Sequence, residues 1–328
     1  MAALVICTGG GLGDVLLATP VMRALRASFG EVVALTSVAH REVLVDDPDL
    51  AEVWTDDVPF ARQIARIRRR GFAASVTTWA TLRSAALPFF AGIPLRAGQA
   101  RRTYSGLFSE RVVVRSENGD RTTHWADILL DYARALGADT VDTAPVFVVP
   151  AHARLSVAAS LAARGVTGEY VVLHPTRGIA AARDRWPVER LGDLARALSH
   201  AEGVPVVVTG AGADRDIADA IAARSNTVSL GGGTTIAEFG ALAAGARAVV
   251  ALDSGPMHVA AAVGARTVGI FALRSDEPDR WAPRGPRTAV VRPDYPCPPA
   301  HRKETCPDFA CIAALDIERV LAAVRGLP

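Results

Sequence analysis

Short runs of β-branched and small apolar residues alternate with Ala- and Leu-rich stretches of helical spacing along the whole chain. That alternation predicts an α/β architecture built on parallel sheets. Leu4 to Cys7, Val32 to Leu35, Ala74 to Thr78 and Val112 to Val114 are the strands expected in the first half. Val171 to His174, Val204 to Thr209, Thr227 to Ser229, Ala248 to Leu252 and Thr267 to Phe271 are those expected in the second. Helices are expected over Val15 to Phe29, around Arg154 to Arg164, and at the C-terminus, where Leu315, Val320, Leu321 and Val324 share a helical face. The extended, proline-bounded run Ala144-Pro145-Val146-Phe147-Val148-Val149-Pro150 reads as a linker. Two domains are therefore expected, 1–150 and 151–328, which also suits a length of 328 residues.

A hydrophobic content of 50% with 21% charged residues describes a globular chain with ample core, and a net charge of +2 gives no argument for a nucleic-acid partner. Lys303 is the only lysine, so the basic residues are almost all arginine, as a GC-rich coding bias would produce. Met1 to Cys7 lack a charged leader and run straight into a glycine turn, which reads as a first strand and not as a signal peptide. No apolar stretch approaches the roughly 20 residues needed to span a bilayer, so a cytoplasmic enzyme is expected. Cys7 in the first strand and the group Cys297, Cys306 and Cys311 fit that compartment as thiols.

Candidate chemistry gathers where strands turn into helices, since ligands of parallel sheets bind at the carboxyl ends of strands. Asp253-Ser254-Gly255-Pro256-Met257-His258 follows the apolar run Ala248 to Leu252 and opens a helix of small residues. Its backbone N–H groups at Ser254 and Gly255 suit an anion, and Asp253 and His258 add a carboxylate and an imidazole; an ordinary helix cap with a satisfied histidine is the competing reading. Thr8-Gly9-Gly10-Gly11-Leu12-Gly13-Asp14 departs from a dinucleotide fingerprint, because Asp14 puts negative charge where a pyrophosphate would lie. Asp14 reads either as a general base toward an uncharged hydroxyl, held ionised by the helix dipole, or as a first-turn helix stabiliser.

In the second half, Thr176, Arg183 and Arg185 supply hydroxyl and guanidinium donors suited to a diphosphate, with a solvated loop as the alternative for the arginines. Trp186 reads as a packing residue. Gly210, Gly212 and Asp214 form a turn that could approach a nucleoside, although Asp214 as a helix cap is the reading preferred. Thr235 to Glu238 matches a capping box. Cys297, His301, Cys306 and Cys311 lack a C-x-x-C pair, since Ala300 stands three residues after Cys297, and structural thiols are preferred there to zinc.

In their order these segments resemble the ADP-heptose:lipopolysaccharide heptosyltransferases, glycosyltransferase family 9. The resemblance is carried by Gly11 to Pro20 with Arg23 to Arg26, His174-Pro175, Arg185-Trp186-Pro187, Thr209-Gly210 and Asp253 to His258, and it extends over nearly the whole chain. It implies a GT-B fold, two Rossmann-like domains facing across a cleft, the first binding the acceptor and the second the nucleotide-sugar. It also implies inverting transfer without a metal or cofactor. Asp14 would take the acceptor proton, with Gly11 and Gly13 on the acceptor side. Thr176, Ser254, Gly255 and His258 would hold the donor diphosphate and Asp253 the sugar hydroxyls. The donor implied is ADP-heptose or a related nucleotide-sugar. The acceptor is a lipopolysaccharide core, another lipid-linked saccharide or a small metabolite, and a lipid acceptor would bring transient contact with the membrane surface. Asp184 stands where family members commonly carry Lys, with Arg183 and Arg185 as substitutes. A nucleotide-sugar 2-epimerase of the same architecture and a sugar-nucleotide-binding protein without catalysis are the alternatives, the presence of Asp14 arguing against the second.

Overall fold

A computed structural model of the protein describes residues 1–175, 186–273, 277–296, 306–307 and 309–328. The chain forms two compact units, Met1–Val148 and Val149–Pro328. The change from one to the next falls within the proline-bounded run 145–150.

The first unit carries a six-stranded sheet of β1 (Ala2–Cys7), β2 (Glu31–Thr36), β3 (Glu52–Thr55), β4 (Ala74–Thr77), β5 (Leu95–Gln99) and β6 (Glu110–Val112). Their spatial order is β3-β2-β1-β4-β5-β6, parallel throughout. The second unit repeats the design with β7 (Val171–His174), β8 (Val206–Val208), β9 (Val228–Ser229), β10 (Ala248–Leu252), β11 (Thr267–Ile270) and β12 (Thr288–Val291), ordered β12-β11-β10-β7-β8-β9. These strands are parallel as well. Counted from its own first strand, each sheet has the doubly wound order 3-2-1-4-5-6, with the direction of winding reversing between β1 and β4 and between β7 and β10. The interior strands β1, β4, β7, β10 and β11 are buried along their full length, as helices on both faces of a parallel sheet require.

Departures from the expected elements have local causes. The strand expected at Val112 to Val114 lies two residues earlier, at Glu110–Val112. β3 and β5 carry Glu52 and Arg96 at or beside the sheet margins, so their sequences lack a continuous apolar run, and β12 is a short edge strand exposed at Val290. The helix expected over Val15 to Phe29 is two helices, Leu12–Leu16 and Thr19–Phe29. Pro20 supplies no N–H, and Thr19 Oγ1 donates to the Leu16 carbonyl at 2.9 Å across the break while accepting from Val146 N–H at 2.9 Å. The C-terminal helix is likewise divided into Ala310–Ala313 and Ile317–Gly326, the second capped by Asp316, whose carboxylate accepts Glu318 N–H at 3.1 Å.

Trp186 is buried in the core of the second unit beside Leu191, Leu194 and Ile221, which is the packing role expected of it. Cys306 and Cys311 are buried in that core too, and Cys306 Sγ accepts Phe309 N–H. Cys297 and His301, the other members of the group considered for zinc, lie outside the described residues. No helix among the described residues is long and apolar enough to cross a membrane.

Candidate active site

In a doubly wound sheet the two strands at the reversal leave a crevice at their carboxyl ends, and that is where ligands bind. In the first unit these strands are β1 and β4. β1 runs into Thr8-Gly9-Gly10-Gly11, and the short helix Leu12–Leu16 follows with Asp14 in its first turn. Gly10 has φ +81°, and a Cβ there would stand 2.6 Å from Asp14 Oδ2, so only glycine fits beneath the carboxylate. Gly11 N–H donates to Asp14 Oδ2 at 2.6 Å. Gly13 lies within the same helix.

Asp14 therefore does stabilise its helix start, as one sequence reading expected. Burial raises its pKa above the ordinary carboxylate value, against hydrogen bonds from Gly11 N–H and from the Trp79 side chain that lower it. A half-buried carboxylate with a raised pKa is a stronger base than a solvated one.

β4 ends at Thr77 and leads to Trp79, a residue the sequence reading did not single out. Trp79 lies in the left-handed region at φ +46°, and its ring stacks on Trp125 with centroids 4.9 Å apart and planes tilted by 31°. The available signal was positional, a Trp directly after the expected strand Ala74 to Thr78. Beside this crevice, Thr8, Asp56, Gln63, Thr81, Arg83, Ser84 and Leu87 line a cavity of ≈ 170 Å³. Gln63 is buried, and neither atom of its amide has a hydrogen-bond partner in the protein.

In the second unit the reversal lies between β7 and β10. β10 is followed by Asp253 and Ser254, then by the helix Gly255–Ala262, so Asp253, Ser254, Gly255 and His258 are brought together at one strand end. Ser254 occupies the N-cap position in extended conformation, yet its hydroxyl donates to the Leu252 carbonyl at 2.8 Å and makes no cap hydrogen bond. The cap reading thus fails for Ser254. Pro256 lacks an N–H, and the positive end of the helix lies beside Asp253 and Ser254. His258 is buried in the first turns of that helix.

β7 ends in His174, whose Nδ1 lies 2.9 Å from Thr209 Oγ1 and whose ring meets Phe239 edge-on. Burial lowers its pKa to about 4, so it is neutral at pH 7. Thr176, Arg183, Asp184 and Arg185 fall outside the described residues. Gly210 follows β8, and Asp214 packs against it. Asp214 is buried at the start of the helix Arg215–Ser225 without a side-chain cap hydrogen bond, which corrects the capping role preferred from sequence. Gly212 opens the short turn before it. Thr235 and Glu238 do form the expected capping box, with Glu238 N–H to Thr235 Oγ1 at 3.2 Å and Thr235 N–H to Glu238 Oε2 at 2.8 Å.

Two parallel units of Rossmann order, each with polar groups at its reversal point, define the GT-B fold of the sugar-nucleotide-dependent glycosyltransferases. A glycosyl transferase family 9 structure from Veillonella parvula DSM 2008 superimposes with a TM-score of 0.82 at 17% identity, covering 99% of this chain and 96% of that one. The E. coli ADP-heptose lps heptosyltransferase II structure gives 0.79 at 22% identity, covering 99% and 98%. In sequence, lipopolysaccharide heptosyltransferase 2 of Escherichia coli (strain K12) is 25% identical over 301 residues, 86% of this chain and 85% of that protein. Residues 60–308 match the family model described as glycosyltransferase family 9 (heptosyltransferase), and the chain belongs to that family. It is a glycosyltransferase, and the epimerase reading is set aside.

Proposed function

We propose that the enzyme transfers a heptose or related sugar from ADP-heptose to an acceptor hydroxyl with inversion at the anomeric carbon, Asp14 acting as general base. The observation that carries this reading is the complementary chemistry of the two reversal points, a half-buried basic carboxylate after β1 and, after β10, a helix start at which Ser254 makes no side-chain cap. The first unit takes the acceptor and the second the donor. Relatives named for ADP-heptose and for lipopolysaccharide supply the substrate class.

Asp14 accepts the proton of the acceptor hydroxyl as its oxygen attacks the anomeric carbon, and the bond from that carbon to the diphosphate oxygen breaks on the opposite side. The leaving diphosphate gains charge as the bond stretches. N–H groups at Ser254 and Gly255, His258 and the hydroxyl and guanidinium groups of Thr176, Arg183 and Arg185 stabilise it without a metal. Asp253 accepts hydrogen bonds from the donor sugar hydroxyls, and Gly210, Gly212 and Asp214 adjoin the nucleoside. Gly11 and Gly13 border the acceptor, and the polar cavity with the unpaired Gln63 amide and Arg83 suits an acceptor rich in hydroxyls.

The test is release of ADP from ADP-heptose that depends on added acceptor. Asp14→Ala should lower turnover by at least about 100-fold while ADP affinity, measured by calorimetric titration, stays within a factor of two. Full turnover by that variant would overturn the base assignment. Prior treatment with EDTA should leave the rate unchanged, and a loss restored by a divalent cation would refute metal independence.

A further inference from the structure

Trp79 is a bulky residue in a backbone region that favours glycine, a conformation that persists only where its surroundings enforce it. The surroundings do demand it. Thr78 N–H donates to the Ile6 carbonyl at 3.0 Å, the Tyr104 hydroxyl donates to the Ala80 carbonyl, and Thr81 begins the next helix with a side-chain cap. The Trp79 carbonyl oxygen lies 2.3 Å from where a Cβ on Gly9 would be, so the β1 and β4 turns touch through a glycine with no room to spare.

The side chain so held has two neighbours and one open face. Its Cβ lies 3.1 Å from where a Cβ on Gly9 would be, in the turn that leads to Asp14. One ring face covers Trp125, which is itself buried at the start of the helix Trp125–Arg134. The rest of the ring is open, with 37% of the residue exposed. An indole fixed in place with one face free, at the crevice between β1 and β4, is a ready surface for the C–H face of a sugar ring.

We propose that Trp79 stacks its open face on the acceptor's sugar ring, which makes it a determinant of acceptor choice. This rests on the reading of the first unit as the acceptor side.

Two substitutions test this. Trp79→Phe keeps a ring, and the acceptor KM should stay within about twofold. Trp79→Gly is free of backbone strain and removes the ring; the acceptor KM should rise about tenfold while the ADP-heptose KM stays unchanged. A purely structural residue would not shift the acceptor KM selectively. If the enzyme transfers sugar as proposed, yet Trp79→Gly leaves the acceptor KM within twofold, the proposal is wrong and the functional reading stands. Should Trp79→Gly fail to fold, Trp79→Leu, which keeps bulk without a planar face, decides by the same KM.

Discussion

Burial raises the pKa of both Asp14 and Asp47, but only Asp14 lies at a reversal of the sheet. Asp47 is buried with one oxygen accepting Asp49 N–H at 2.8 Å and the other without a hydrogen-bond partner, and its pKa is pushed up to about 6. Because the folded form holds its proton more tightly, the stability this group contributes is greatest below its ordinary value of 3.8 and is lost as pH rises through about 6. Asp47→Asn keeps an oxygen for Asp49 N–H and removes the charge. It should raise stability at pH 7.5 by about 1–2 kcal/mol in urea unfolding, with no gain at pH 4. At Gly9 the limit is steric: Gly9→Ala forces the β1 and β4 turns apart, at a cost of about 1–3 kcal/mol in the same measurement, and should lower kcat through displacement of Asp14.

Among the elements, the interior strands were readable because burial on both faces demands an unbroken apolar run, as in Leu4 to Cys7 and Ala248 to Leu252. β3 and β5 were not, since Glu52 and Arg96 interrupt their patterns and their place in the sheet depends on neighbours far along the chain. The strand-to-helix turns carrying Asp14 and Asp253 were legible from composition alone. Trp79 was not: a lone Trp after a strand reads as core, and its backbone angle and close approach to Gly9 arise only once β4 lies beside β1. Ser254 shows the converse, a residue of the usual capping type that spends its hydroxyl on Leu252. Thr235 does cap, and Thr235→Ala should cost about 1 kcal/mol by thermal or urea unfolding, whereas Ser254→Ala, with no cap to lose, should cost less.

Across the molecule, the two units answer acid through different groups, and within the first His40, its pKa lowered by burial, opposes Asp47. His174 in the second unit has its pKa lowered to about 4, so stability is lost there as pH falls from 6.5 toward 4, while the unfolded chain takes up a proton the folded one refuses. Glu238, with its pKa lowered by hydrogen bonds from Ser156 and Thr235, acts in the same direction at lower pH. Asp47 in the first unit acts the other way between 3.8 and about 6. Calorimetric scans at pH 7 and pH 4.5 should therefore show the second unit's transition moving down relative to the first. His174→Gln should shrink that separation, and equal displacement of both transitions would refute the assignment.

The winding order has a further consequence for the chain as it is made. In each unit the strand that comes first in sequence finishes inside the sheet: β7 ends at His174, but its partner β10 starts only at Ala248. Until that later segment emerges, a strand of mostly apolar residues stands with one edge unpaired, a hazard for association between nascent chains. The pairing that removes the hazard is also the one that creates the crevice at the reversal. A half-made unit therefore has no binding site to offer, and capture of nucleotide by the second unit would report that its last long-range strand pairing is complete.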